Sequence, residues 1–392
     1  MRSALFSATR HARPLRRITE WLFIFHLTLM NGDSIIRPVS LRGAVVAETS
    51  AYKPPELRNC VVLVAGATRG VGRGIALAFG EAGATVYCTG RSSRAALASG
   101  IKPLSGQQRT KALPAAYYTG RPETIEETAE LVTARGGKGI AVVVDHLDVS
   151  QVEKLVAEIR AEQGKLHVLV NDISESAEHE FGKTFWQADL ERGFAMFRNA
   201  IHTHIITSHC AAQLLIETAK NSGRTGLIVE IGDGDTYSYR GHLFFDLIKT
   251  TVIRLAFAVA YELRKKNVAA VALTPGFLRS EVMLERFGVS EATWQDAVKK
   301  DPNYICSETP LYAGRAVVAL AADPGLMKKS GRVFSTWGLS DEYAFCDADG
   351  RRPHWGRHFV GKYGDHMNPC DEGFYKYWFG GALEAVFPDW PS

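Results

Sequence analysis

The chain has 392 residues, 46% of them hydrophobic and 22% charged, with a formal net charge of +4. This is ordinary globular composition, long enough for one large α/β domain with extensions. The charge excess is small and sits largely near the N-terminus, so it implies no nucleic-acid partner. The six cysteines are widely scattered without a C-x-x-C pair, which reads as reduced thiols in a reducing compartment. The expected location is therefore cytoplasmic.

In chain order, the first segment differs from the rest. Arg2, Arg10, Arg13, Arg16 and Arg17 precede the first acidic residue, Glu20, and an apolar run from Trp21 to Met30 follows. That run falls short of the roughly 20 residues a membrane span needs. A basic start before an apolar stretch is the pattern of a targeting segment, but no small-residue cleavage site directly follows it. Residues 1–56 are thus expected to be an extension, either disordered or targeting, with Met30 as an alternative start.

From Asn59 onward, short apolar runs alternate with amphipathic stretches. Strands are expected over Val61–Val64, Thr85–Cys88, Ile140–Val144, Val168–Val170, Leu227–Ile231 and Ala269–Leu273. Helices are expected over Gly72–Ala82, Thr124–Ala134, Val152–Gln163, one long stretch Ala195–Thr218, and Phe245–Arg264. Such alternation implies a parallel sheet covered on both faces, and right-handed crossovers make it a doubly wound, Rossmann-type fold. Insertions break the rhythm at Ser92–Gly120 and at Glu175–Leu190, which contains Phe181, Phe185 and Trp186. Glu281–Asn303 has the mixed character of a segment covering a substrate. The domain is expected to span 57–336, followed by an aromatic-rich, irregular C-terminal extension over 337–392.

The first strand runs into Gly66-Ala67-Thr68-Arg69-Gly70-Val71-Gly72 and opens a helix. Glycines there permit a tight turn and let the backbone approach a pyrophosphate, whose charge sits against the helix N-terminus. Strand two ends Cys88-Thr89-Gly90-Arg91, without the acid that reads a ribose 2′-hydroxyl. Arg91 and Arg69 instead suit a 2′-phosphate, which favours NADP(H). The G-x-x-x-G-x-G spacing resembles the short-chain dehydrogenase/reductase family. That resemblance also implies cofactor contacts at Asp145 and Asn171, where strands three and four end, and at the turn Pro275-Gly276 with Ser280. The usual Asn-Asn-Ala-Gly run reads Asn171-Asp172-Ile173-Ser174 here. Gly74-Ile75-Ala76-Leu77, Ala84-Thr85-Val86-Tyr87, the Phe185-Trp186 insertion and the extended C-terminal region resemble a dehydrogenase/reductase member-1-like branch.

The resemblance implies hydride transfer between a nicotinamide and a carbonyl or alcohol, with a tyrosine as proton donor and a lysine four residues later. Lys249 fits the lysine, which also holds the ribose, and Asn199 fits the family's helical asparagine. The tyrosine position is Phe245, which has no ionisable proton. The serine that orients substrate is replaced by Gly232 or Asp233. Three readings stand open. A substitute acid among Asp233, Tyr237, Tyr239, His242 and Asp246 does the work; or the chain binds NADP(H) without turnover, as a sensor or interaction subunit; or this copy has lost a tyrosine its branch uses. Asp233 is the candidate acid, provided burial keeps its proton.

His202, His204 and His209 lack the spacing and the completing Cys or acid of a metal site, so no metal is expected. Gly232-Asp233-Gly234-Asp235 lacks the ligand ladder of a calcium loop. Self-association is expected, because in the family the helices carrying Asn199 and Lys249 commonly form the oligomer interface.

Overall fold

The computed structural model describes residues 52–98, 121–174, 184–234 and 242–363. The first fifty residues, most of the Ser92–Gly120 insertion, Phe181, Tyr237, Tyr239 and the tail beyond Tyr363 lie outside them. Among the described residues, seven strands form one parallel sheet in the order β3-β2-β1-β4-β5-β6-β7. They alternate with helices as follows: β1 (Val61–Ala65), α1 (Gly70–Glu81), β2 (Thr85–Gly90), α2 (Arg94–Ala98), α3 (Ile125–Ala134), β3 (Lys138–Val143), α4 (Val149–Gln163), β4 (Val168–Asn171), α5 (Leu190–Phe197), α6 (Thr203–Ser222), β5 (Gly226–Ile231), α7 (Leu243–Leu263), β6 (Val268–Thr274), α8 (Glu281–Phe287), α9 (Pro310–Ala322), β7 (Val333–Ser335), α10 (Thr336–Tyr343) and α11 (Trp355–Tyr363). The doubly wound arrangement expected from the alternation is the one present.

Both faces of the sheet are buried, and the period-two alternation of a strand divides β1 between them. Val62 and Val64 join the cluster built with Ile75, Phe79, Val317 and Leu320 of α1 and α9. Val61 and Leu63 join the opposite cluster with Leu155, Ile159, Leu214, Phe257 and Ala260 of α4, α6 and α7. Each such side chain stabilises the fold by about 1.5–3 kcal/mol on burial, before the ordering entropy is subtracted. Strand order reverses between β1 and β4, so the cleft outside their C-terminal ends is the place where this architecture holds ligands.

Two sequence expectations need correction. The single long helix Ala195–Thr218 is instead α5 and α6 joined by a π-helical turn over Arg198–His202. There the Thr203 hydroxyl donates back to the Asn199 carbonyl, a local bond that competes with the regular helical ladder. Between Gly331 and Tyr363 the chain is also not irregular. It supplies the edge strand β7 and helices α10 and α11, and Phe345 and Asp347 are buried.

Candidate active site

The glycine-rich loop lies where β1 meets α1. Gly66 has φ +96°, and a Cβ there would stand 2.7 Å from the Asp172 carbonyl, so only glycine lets the β1 and β4 loops close together. A Cβ on Gly72 would meet the Gly66 carbonyl at 2.4 Å. Gly70, with φ +58°, has open space where its Cβ would be. A closed glycine turn at the N-terminus of α1, with no side chain crowding Gly70, fits a dinucleotide's pyrophosphate. Thr68 is buried within the same loop, and Val71 faces the core.

Arg69 leaves that loop toward the end of β2. Its guanidinium donates to Ser92 Oγ at 3.4 Å and pairs with Glu123 at 3.3 Å. Ser92 follows Arg91 directly, so both candidate arginines stand at one corner of the cleft. Glu123 was not legible as part of this corner. It is 9% exposed in its side chain, accepts from Arg121 as well as Arg69, and its carboxyl stays below the usual range. Burial works to raise it, and the hydrogen bond from Arg121 and the two cationic charges overcome that.

Asp145, just past β3, accepts from the Leu147 amide. Its neighbour His146 is buried between Thr89 Oγ1 and Thr207 Oγ1, each at 2.8 Å. The Thr89 and Thr207 hydroxyls also reach the Val64 and Thr203 carbonyls. Burial pushes His146 down to about 3, and the ring is neutral at physiological pH.

Asn171 has no exposed surface. Its Nδ2 donates to Ser208 Oγ and to Glu230 Oε1, both at 2.9 Å. Its contacts therefore run into a polar layer beneath the cleft. Glu230 also faces His204 Nδ1 at 2.7 Å, while His204 Nε2 stands 3.0 Å from the Ile173 carbonyl. A carbonyl only accepts, so Nε2 is the donor in that contact. This pair anchors the altered Asn171-Asp172-Ile173-Ser174 run from below. His202 and His209 are exposed on other faces of the helix, so the three histidines do not converge. Among the described residues, no group of His, Cys, Asp and Glu could hold a metal ion.

Asp172 turns into the cleft, where its Oδ2 accepts from the Gly72 amide. Burial pushes its carboxyl up to about 7, against the lowering effects of that amide, Lys249 and His204. No motif marked it as titratable near neutrality; only its replacement of the usual asparagine was visible.

Lys249 and Phe245 lie one turn apart on α7, with Nζ 5.4 Å from the phenyl centroid. The lysine thus meets an aromatic face where a tyrosine would offer a hydroxyl. Asn199 is buried in the π-helical turn. Asp233 is exposed just past the end of β5, so the buried setting its role as candidate acid called for is not present. His242 is buried and Asp246 half-buried at the start of α7. Pro275 and Gly276 follow β6, and Gly276 packs under Glu308 and Trp355 so closely that a Cβ would meet Glu308 Oε2 at 2.8 Å. The Ser280 hydroxyl accepts from the Met283 amide and caps α8.

The geometry agrees with comparisons to known proteins. A family model described as short chain dehydrogenase matches residues 108–288. The mouse protein "Dehydrogenase/reductase SDR family member 1" (Mus musculus) is 31% identical over 301 residues, 75% of this chain and 85% of that protein. The human protein of the same name is 30% identical over 296 residues, 74% of this chain and 84% of that one. Among solved structures, a short chain dehydrogenase from Mycobacterium thermoresistibile superposes with a TM-score of 0.58 at 18% identity, covering 76% of this chain and 92% of that chain. A short chain dehydrogenase from Mycobacterium paratuberculosis bound to NAD gives 0.53 at 20% identity, covering 73% and 99%. Those two structures speak for the fold alone.

Proposed function

The chain belongs to the short-chain dehydrogenase/reductase family, and from that premise we propose that it is an NADP(H)-dependent oxidoreductase acting on a carbonyl or alcohol with rerouted proton transfer. The observation that carries this reading is the convergence of the glycine-rich turn with its uncrowded Gly70, the paired Arg69 and Ser92, and Lys249 on one end of the sheet. The loop Gly66–Gly72 would hold the pyrophosphate and Arg69 and Arg91 the 2′-phosphate. Lys249 would hold the ribose, and Pro275, Gly276 and Ser280 the carboxamide end. Asp145 would meet the adenosine half, with Asn171 supporting the wall beside it. The bound nicotinamide supplies or accepts the hydride.

Protons must come from elsewhere than residue 245, since a phenyl ring has none to give. Lys249 supplies a positive field that would stabilise a developing oxyanion, and Asn199 sits in the distorted turn beside α7. The free cysteines among the described residues support a reducing, cytoplasmic setting, and no described helix is long and apolar enough to cross a membrane.

A second reading is favoured by the same Phe245 ring beneath Lys249, namely a protein that binds NADP(H) and turns nothing over. NADPH oxidation across a panel of carbonyls, for wild type and Phe245→Tyr, separates the two. A wild type with slow turnover that the tyrosine raises by on the order of 10² to 10⁴ supports rerouted chemistry. Turnover in Phe245→Tyr alone supports the binding-only reading. A wild type that fails to bind NADPH sinks both.

A further inference from the structure

The first amides of α1 point out of the helix N-terminus, and two carboxylates hold them. Gly70 N donates to Glu281 Oε2 at 2.8 Å, and Gly72 N donates to Asp172 Oδ2. Glu281 is the first residue of α8, on the segment that follows β6, and Asp172 directly follows β4. These are the positions proposed above for the pyrophosphate. One N–H cannot serve both a carboxylate and a phosphate, and like charges so close repel in a cleft with little water.

We propose that Glu281 and Asp172 form a carboxylate gate on the phosphate site, so that a dinucleotide enters by displacing Glu281 and by adding a proton to Asp172. This rests on the dinucleotide reading above. Glu281 is free to leave, since its side chain is 28% exposed and Arg73 of α1, its cationic neighbour among the described residues, stands 4.0 Å away. Arg73 is more closely paired with Glu127 of α3, at 3.0 Å. Glu285, one turn along α8, is held by Arg121. Release of Glu281 also unties α8 from α1, which couples nucleotide arrival to the segment beyond Ser280.

Asp172 differs from Glu281 in what faces it. The groups facing it are the Gly72 amide, Lys249 from α7 and His204 from α6, and burial outweighs all three in setting its proton affinity. A dianionic pyrophosphate beside it raises that affinity further. The bound state then holds a proton that the free state loses above about pH 7, so nucleotide affinity falls as pH rises through that region.

The test is a fluorescence titration of the full chain with NADPH and with NADH from about pH 6.5 to about pH 8.5. Wild type is compared with Glu281→Gln and Asp172→Asn. NADH lacks the titrating 2′-phosphate, so a pH dependence common to both nucleotides belongs to the protein. Glu281→Gln is expected to bind both on the order of tenfold tighter at every pH. Asp172→Asn is expected to bind tighter at the alkaline end and to lose the wild-type slope. Variants that match wild type or bind more weakly, with the slope intact, overturn the gate and leave the dinucleotide reading standing. Tightening in only one variant overturns the two-carboxylate form. If neither nucleotide binds wild type or either variant, the dinucleotide reading falls and takes the gate with it.

Discussion

A carboxylic acid with no solvent contact must either find compensating charge or keep its proton. Glu308 keeps its proton. It is fully buried, its Oε2 accepts from the Thr336 hydroxyl at 2.8 Å, and burial, with Asp347 adding to it, pushes the carboxyl up to about 8 from 4.5. The sign follows from comparing the folded and unfolded chains. Below the unfolded value both hold the proton. Between that value and about 8 only the folded chain holds it, so stability falls as pH rises, by at most about 1.4 kcal/mol per pH unit. Glu308→Gln keeps an oxygen for Thr336 and cannot titrate. Urea unfolding of wild type and variant across this window is therefore expected to show a gap that moves in favour of the variant with rising pH. Parallel curves would remove Glu308 as the source.

At the scale of elements, α1 and α9 pack closely through two glycines. A Cβ on Gly74 would sit 2.1 Å from the Pro310 carbonyl, and one on Gly314 would sit 2.4 Å from the Gly74 carbonyl. Gly74→Val must push these helices apart and is expected to cost about 1–3 kcal/mol in urea unfolding, whereas a value near zero would mean that α9 shifts freely. This contact also shows what was legible in the chain. The strands β1 to β6 were visible because short apolar runs alternate with polar-faced helices. α9 escaped notice because it is buried nearly all round, so its Ala and Val residues carry no amphipathic contrast. β7 is only three residues long. The π-helical turn at Asn199 was invisible since its residues are ordinary helix formers. In the site, the glycine loop and Lys249 were legible from spacing. Asp172, Glu281, Glu123 and the His204–Glu230 pair were not, because each acts through a partner 26 to 211 residues away along the chain.

At the scale of the whole molecule, one buried cation ties the segments beyond β6 to each other. Arg279 is 1% exposed. Its Nε donates to Glu291 and its Nη2 to Asp349, both at 3.0 Å, and its Nη1 donates to the Ser307 carbonyl at 2.8 Å. Asp347, itself buried, stands 3.5 Å from it, and its guanidinium lies 4.4 Å from the centre of the Trp294 ring. Asp347 in turn accepts from the Thr309 amide at the start of α9. The planar fork thus gathers chain from the Ser280 segment, the Glu291–Trp294 stretch, the approach to α9 and the loop after α10. Lysine cannot reproduce this, because its point charge cannot donate in three directions while stacking on an indole. Breaking a buried pair by removing one partner typically costs about 3–5 kcal/mol, since the other charge stays buried and unpaired. Arg279→Met is expected to fall in that range, and Arg279→Lys to recover only part of it. Arg279→Met with Asp347→Asn should recover more than the lysine does, because the stranded charge is then gone. Urea midpoints of the three variants decide it: if the lysine variant equals wild type, the cation holds these segments by charge alone and the fork geometry is irrelevant.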